Sequence, residues 1–236
     1  MRILGLNYPG GVGKTTILTN VIKPYMPNAK FFAIESINES AVELGVDAEK
    51  LSGEQFRDLF SQILPLDEAI VDVGSSNIED FLEGLAKYED SHLEFDYYIV
   101  PVTSGVKEQK ETVSMLLTLQ NYGVDKRKIK IVFNRVHKDV EKEFQILMKF
   151  FQKNPEFKYN LSCAVIENEL FDMLSVKKTS IQEILDDTTD YRSMFREKTT
   201  DENKRQKSQS IDIFVTRSLA KTVKKNLDDV YASLFN

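Results

Sequence analysis

The stretch Tyr8-Pro9-Gly10-Gly11-Val12-Gly13-Lys14-Thr15-Thr16 carries the residue types that hold a phosphate group. Glycines let successive backbone N–H groups turn inward on an anion without a Cβ in the way. The first turn of a following helix adds unsatisfied N–H groups and the positive end of its dipole. In that setting Lys14 reaches the β and γ phosphates of a nucleotide, and the Thr15 hydroxyl serves Mg²⁺. Gly10, Gly11, Val12, Gly13, Lys14, Thr15 and Thr16 are therefore the candidate nucleotide-binding residues.

This chemistry needs a strand before the loop and a helix after it. The apolar run Ile3-Leu4-Gly5-Leu6 reads as a buried strand within 2–7, and apolar residues at helical spacing predict a helix over 14–25. Three further stretches end in polar residues that suit the same site. Phe31-Phe32-Ala33-Ile34 is a short apolar run followed by Glu35, a carboxylate placed to orient a water near Mg²⁺ or the γ phosphate. A solvated loop, or a helix capped by Ser36 or Asn38, is the alternative there. Ala69-Ile70-Val71-Asp72 reads as a buried strand with Asp72 at its carboxyl end, where doubly wound sheets bind ligands. Asp72 is the candidate partner of the Mg²⁺ shell; capping of the next helix is the plainer reading. Gly74 and Ser75 follow, with backbone N–H groups that would sense a γ phosphate. Finally, 128–135 is a strand closed by Asn134-Arg135. The Asn134 amide would read a base edge, or simply form a turn.

The remaining elements are positioned by pattern. Apolar spacing predicts helices over 51–64, 107–121, 139–152, 168–174 and 180–186, and strands over 96–103 and 161–166, with Pro101 marking a strand end. Alternating strands and helices predict an α/β fold, a doubly wound and mostly parallel sheet flanked by helices. Residues 1–186 form the nucleotide-binding domain in this reading. Residues 187–210 are polar and read as a linker or long loop. Ile211, Val215, Leu219, Val223 and Leu227 then recur every four residues, with Val230 and Leu234 beyond, and predict an amphipathic helix over 211–236 packed on the same domain. Arg217, Lys221, Lys224 and Lys225 lie along it, with Lys204, Arg205 and Lys207 upstream, a stripe that would meet DNA phosphates. A docked helix with a solvated lysine face explains the same residues.

Composition limits the alternatives. The 236 residues carry 31 Lys and Arg against 37 Asp and Glu, a net charge of −6, so nucleic-acid contact requires a local patch. Cys163 is the one cysteine, which excludes a disulfide framework or cysteine metal site within one chain and fits a reducing compartment. The isolated His92 and His137 read as surface residues. No apolar run approaches the length of a membrane span, and the chain enters its first strand without a leader pattern; a cytoplasmic protein is expected.

The order of Gly-Gly-Val-Gly-Lys-Thr-Thr, the Asp72 strand, the Val-Pro-Val strand and the Ile-Val-Phe-Asn-Arg strand resembles that of ParA/MinD-type ATPases, the deviant Walker A group of P-loop proteins. The resemblance covers residues 1 to about 186. Asp-Val-Gly-Ser-Ser-Asn and the residues before the glycines look most like StbB-type plasmid stability proteins. The resemblance implies ATP or ADP bound with Mg²⁺, a nucleotide-dependent dimer, slow hydrolysis to ADP and phosphate, and positioning of a cargo such as a plasmid, with plasmid DNA engaged directly or through a DNA-binding adaptor. It makes Lys14 the P-loop lysine, Thr15 the Mg²⁺ ligand, Asp72 the Walker B carboxylate and Asn134 an adenine contact, beside Arg135. Two departures stand out. Pro9 occupies the position of the family's lysine that reaches the partner's phosphates, and Glu35 and Ile37 occupy the positions of two aspartates. Weak hydrolysis through Glu35, or binding without turnover, follows. Two other functions fit the fold: a small-molecule ATP-dependent enzyme (a kinase, or a ligase of the dethiobiotin synthetase type), and a MinD-like membrane-positioning ATPase. The tail Val230-Tyr231-Ala232-Ser233-Leu234-Phe235 lacks flanking lysines, so its stripe is expected in the core. Iron–sulfur relatives need several cysteines.

Overall fold

The computed structural model describes residues 1–34, 48–52, 55–177, 179–196 and 204–235. These residues form a seven-stranded sheet in which every pair is parallel. The strands are β1 (Arg2–Gly5), β2 (Lys30–Ile34), β3 (Ala48–Leu51), β4 (Ala69–Val73), β5 (Tyr97–Val102), β6 (Ile129–Val136) and β7 (Ala164–Ile166), and their order across the sheet is β3-β2-β4-β1-β5-β6-β7. The chain leaves β1 toward β2, β3 and β4 on one side, then crosses to β5, β6 and β7 on the other. The reversal falls beside β1, and the crevice it opens at the strands' carboxyl ends is where such sheets bind ligands.

Because side chains alternate along a strand, each face of the sheet buries its own set. Leu4, Phe32, Val71, Val100 and Phe133 face one layer. It is built from α2 (Phe56–Ile63), α3 (Ile78–Lys87), α4 (Val106–Asn121) and α6 (Gln145–Lys153). Ile3, Phe31, Ile70, Ile99 and Val132 face the other. That layer holds α1 (Lys14–Ile17), α7 (Leu170–Lys177), α8 (Ile181–Asp186) and the long α10 (Lys204–Phe235). α5 (Val140–Glu143) precedes α6, and α9 (Tyr191–Arg196) precedes α10. No helix among the described residues is long and apolar enough to cross a membrane.

The expected elements are present with local corrections. The helix expected over 51–64 begins only at Phe56, and Leu51 instead closes β3. That strand is an edge segment with exposed polar positions: Glu49 pairs with Lys30 at 2.5 Å and accepts from Gln62 Nε2 at 2.7 Å. The helix expected over 139–152 breaks at Phe144, whose φ of −111° and ψ of 41° let its buried ring meet Phe133 at 5.0 Å. Pro101 lies inside β5, one residue before its end. The missing N–H is tolerated because the β1 pairing stops at Gly5–Ile99 and Leu6 N–H donates to the Ile99 carbonyl. In the 187–210 stretch, read as a linker, Tyr191–Arg196 is helical and α10 starts at Lys204.

The buried face of α10 also differs from the expected stripe. Thr216, Ala220, Val223, Leu227, Val230 and Leu234 are buried, whereas Ile211 and Val215 are exposed. A strict four-residue repeat drifts around a 3.6-residue helix, so only alternating steps of four and three hold one face to the core. Tyr231 stacks on Tyr25 at 3.8 Å and Phe235 meets Tyr97 edge-on at 4.9 Å, which fixes the tail to the sheet layer.

Candidate functional site

The loop between β1 and α1 is shaped by close packing behind it. A Cβ on Gly5 would fall 2.4 Å from Leu18 Cδ1, so the glycine in β1 lets the first helix lie directly against the strand. Gly13 is the helix N-cap with φ +86°, a left-handed conformation that L side chains rarely adopt. A Cβ there would stand 2.2 Å from Asn134 Nδ2. The helix start presents the N–H groups that have no intrahelical acceptor. Its carbonyls are also drawn aside: Thr19 Oγ1 donates to Thr15 O at 2.8 Å and Asn20 Nδ2 to Thr16 O at 3.0 Å. The helix widens there into a π turn over Leu18–Ile22, a local distortion such side-chain bonds favour.

Lys14 is only 8% exposed, and its ammonium donates to the carbonyls of Asn7 and Pro9, both at 3.2 Å. Asn7 is the residue that sequence reasoning missed. It is fully buried, with Nδ2 donating to Pro101 O at 2.8 Å and Thr112 Oγ1 at 2.7 Å, while Oδ1 accepts from Tyr8 N–H at 2.9 Å. The loop's first residues are thereby tied to β5 and α4. The available signal was a lone polar residue closing an apolar run, which by itself indicates only a strand end.

Asp72 sits opposite Gly5 in β1 and Ala33 in β2 at the carboxyl end of the sheet, 1% exposed. The Thr15 hydroxyl donates to Asp72 Oδ2 at 2.5 Å. Two hard oxygen donors thus meet next to the glycine loop. Among the described residues no group of three or more His, Cys, Asp and Glu gathers to hold a metal. A set of one hydroxyl and one carboxylate suits Mg²⁺, which keeps waters and phosphate oxygens for its other positions.

Glu35 and Ile37 lie outside the described residues. The Gly74 N–H, expected to sense a γ phosphate, donates to Ile34 O at 2.9 Å and so joins β4 to β2. Ser75 remains beside the loop, its Oγ 3.2 Å from where a Gly10 Cβ would lie. Asn134 is buried, and its amide braces the loop: Nδ2 donates to Val12 O at 2.9 Å and Oδ1 accepts from Arg135 N–H at 3.0 Å. That second bond accompanies a left-handed Arg135, φ +54°, whose side chain is exposed. Gly13, Thr16, Asn134 and Arg135 line a cavity of about 180 Å³, closed by Ile166, Asn168 and Phe171.

The expected basic stripe does not present as one surface. Arg217 is committed internally, donating to the carbonyls of Asp187 and, at 3.0 Å, Thr189, with its guanidinium over the Tyr191 ring. Hydrogen bonds from Thr189 and then from the Tyr191 hydroxyl hold the Asp187 carboxyl down to about 2. Lys224 pairs with Asp228 and lies over the Tyr25 ring. Lys221 and Lys225 are exposed.

The chain matches no protein-family model and no curated protein. Solved structures do resemble it. A single-residue variant of McdA from Cyanothece in complex with ATP matches with a TM-score of 0.54 at 14% identity, over 78% of this chain and 90% of that one. MinD from Pyrococcus horikoshii complexed with Mg-ADP matches at 0.53 and 12% identity, over 77% and 87%. A candidate plasmid partition protein from Borrelia burgdorferi bound to AMPPNP matches at 0.50 and 11% identity, over 92% and 98%. At these identities the likeness is one of fold: the chain has the ParA/MinD-type P-loop fold that its sequence resembles.

Proposed function

We propose that this chain is an Mg-ATP-binding nucleotide switch that acts in positioning DNA or another cargo, with plasmid partition or stability of the StbB-like kind as its setting. The observation that carries the reading is the contact of Thr15 with Asp72 at the strand reversal, directly beside the glycine loop and Lys14. Bound there, Mg²⁺ would neutralise phosphate charge and polarise the γ phosphate. Lys14 would exchange its two carbonyl partners for phosphate oxygens, and the Gly10–Gly13 backbone would hold the anion. The cavity beside Gly13 and Asn134 is the natural seat for the nucleoside, with Phe171 and Ile166 as its apolar walls.

Hydrolysis is expected to be weak. Pro9 brings no charge, so the cation that family members send across the dimer is missing at that position. Arg135 is exposed beside the nucleoside cavity and is the candidate to supply it. Cargo engagement runs more readily through an adaptor protein than through a continuous basic helix, because Arg217 and Lys224 are already committed within the chain. A MinD-like membrane tail is disfavoured, since Val230 and Leu234 are buried in the core.

The test is the solution mass of the chain with ADP and with a non-hydrolysable ATP analogue plus Mg²⁺, alongside Lys14→Ala. The reading expects a dimer with the analogue only, abolished in the variant. An unchanged mass with nucleotide bound would reject the switch.

A further inference from the structure

On the layer away from α10, α4 and α6 enclose a groove of about 320 Å³ floored by Val113, Ile146 and Phe150 and rimmed by Lys110, Lys149 and Lys153. α4 contributes to the core and to one wall of the groove. Its inner side buries Thr112, Met115, Leu116 and Leu119. Its outer side carries Val106, Lys110, Val113 and Leu117 at helical spacing, and of these Lys110 and the half-buried Val113 line the groove. Val106 is 62% and Leu117 42% exposed.

The groove is held rigidly. Gln109, buried between the two helices, donates from Nε2 to Ser104 O at 2.7 Å and Glu143 O at 3.0 Å. Its Oε1 accepts from the Ile146 N–H at 3.0 Å, at the start of α6. One side chain thereby fixes the spacing of the two walls, which spares an incoming partner the cost of ordering them.

Its charge selects the occupant. Among the described residues no carboxylate pairs with Lys110, Lys149 or Lys153, although nearby Lys107 and Lys142 do pair, with Glu111 and Asp139. Three free ammoniums around an apolar floor, on a chain of net charge −6, call for acidic flanks. A second copy's α10 fits poorly: its exposed Ile211 and Val215 follow Lys204 and Arg205, the same sign as the rim. We infer that the α4–α6 groove is a docking site for an amphipathic helix of a partner protein, its apolar face on Val113, Ile146 and Phe150 and its acidic flanks on the three lysines. This is helix-in-groove recognition, with anchors repeating every three or four residues.

Two fluorescein-labelled helical peptides of about four turns test it. Both carry leucine at the heptad a and d positions; one has glutamate on its flanks, the other lysine. Anisotropy is read on the full chain, on Lys110→Glu/Lys149→Glu/Lys153→Glu, and on Val113→Asp, each checked for its fold by circular dichroism. The glutamate peptide is expected to bind the wild-type chain, to weaken about tenfold or more in the triple variant, and to lose binding in Val113→Asp. The lysine peptide is expected to gain affinity for the triple variant. Failure of the glutamate peptide to bind, or binding unchanged by the triple variant, would overturn the inference. So would self-association of the chain that the triple variant abolishes, since a second copy would then own the groove.

Discussion

Replacing Gly13 by alanine separates the two reasons a glycine stands there. At φ +86° an L side chain costs about 1–2 kcal/mol. The new Cβ would also lie 2.2 Å from Asn134 Nδ2 and must push that amide away from the Val12 carbonyl. A buried carbonyl left without its donor costs a further ~1–3 kcal/mol. Gly13→Ala is therefore expected to destabilise the chain by about 2–5 kcal/mol in all. In an Asn134→Ala background the clash is gone and only the backbone cost remains, about 1–2 kcal/mol. The difference, about 1–3 kcal/mol, is the coupling between loop and amide. The chain has no tryptophan, so urea unfolding followed by far-ultraviolet circular dichroism is the suitable assay, with midpoints compared at unchanged slope. An equal cost of Gly13→Ala in both backgrounds would refute the claim that Asn134 braces the loop.

Other expected outcomes follow from the same contacts. Asp72→Asn should weaken Mg²⁺-dependent nucleotide affinity by about 10–100-fold while leaving the thermal midpoint near wild type, as read by titration calorimetry and melting. Leu227→Ala, at a position 1% exposed, should cost about 2–5 kcal/mol in denaturant unfolding because α10 loses a core contact. Partial burial first, then the hydrogen bond to Asp228, raise the Tyr25 hydroxyl to about 12 from its ordinary 10. The unfolded chain therefore gives up that proton first, so this contribution is complete below pH 10 and is lost as the pH rises through about 12. Tyr25→Phe should flatten that part of an alkaline stability profile. If the chain binds DNA directly, Lys221→Glu with Lys225→Glu should lower the logarithmic salt slope by about 2, and Arg217→Ala should leave it unchanged.

The strand–loop–helix setting of the candidate phosphate loop was legible in the sequence because such chemistry demands particular residues between a strand and a helix. Gly10, Gly11, Gly13, Lys14 and Thr15 stand in that setting here. The place of Asp72 at the carboxyl end of a buried strand was legible for a similar reason, a charge closing an apolar run. What escaped the reading depends on contacts between distant segments. Asn7 meets Pro101 and Thr112, Gln109 meets Glu143 and Ile146, and neither pairing leaves a local pattern. β3 escaped because Ala48-Glu49-Lys50-Leu51 is a half-exposed edge strand with weak strand formers. The face of α10 was misread because a repeat of four looked like a stripe, although only Val223 and Leu227 in that series lie in the core with Val230 and Leu234. Arg217 was read as a surface cation, and its partners, the carbonyls of Asp187 and Thr189, could not be seen from residue types.

The proposed function requires that the loop, Lys14, Thr15 and Asp72 form one Mg-nucleotide site. Titration calorimetry of the chain with ATP, with and without Mg²⁺, tests this directly, with Lys14→Ala and Thr15→Val as controls. Saturable binding at one site per chain is predicted, strengthened by Mg²⁺, with that strengthening lost in Thr15→Val and binding itself lost in Lys14→Ala. Absence of binding by the wild-type chain, or equal binding by Lys14→Ala, would contradict it.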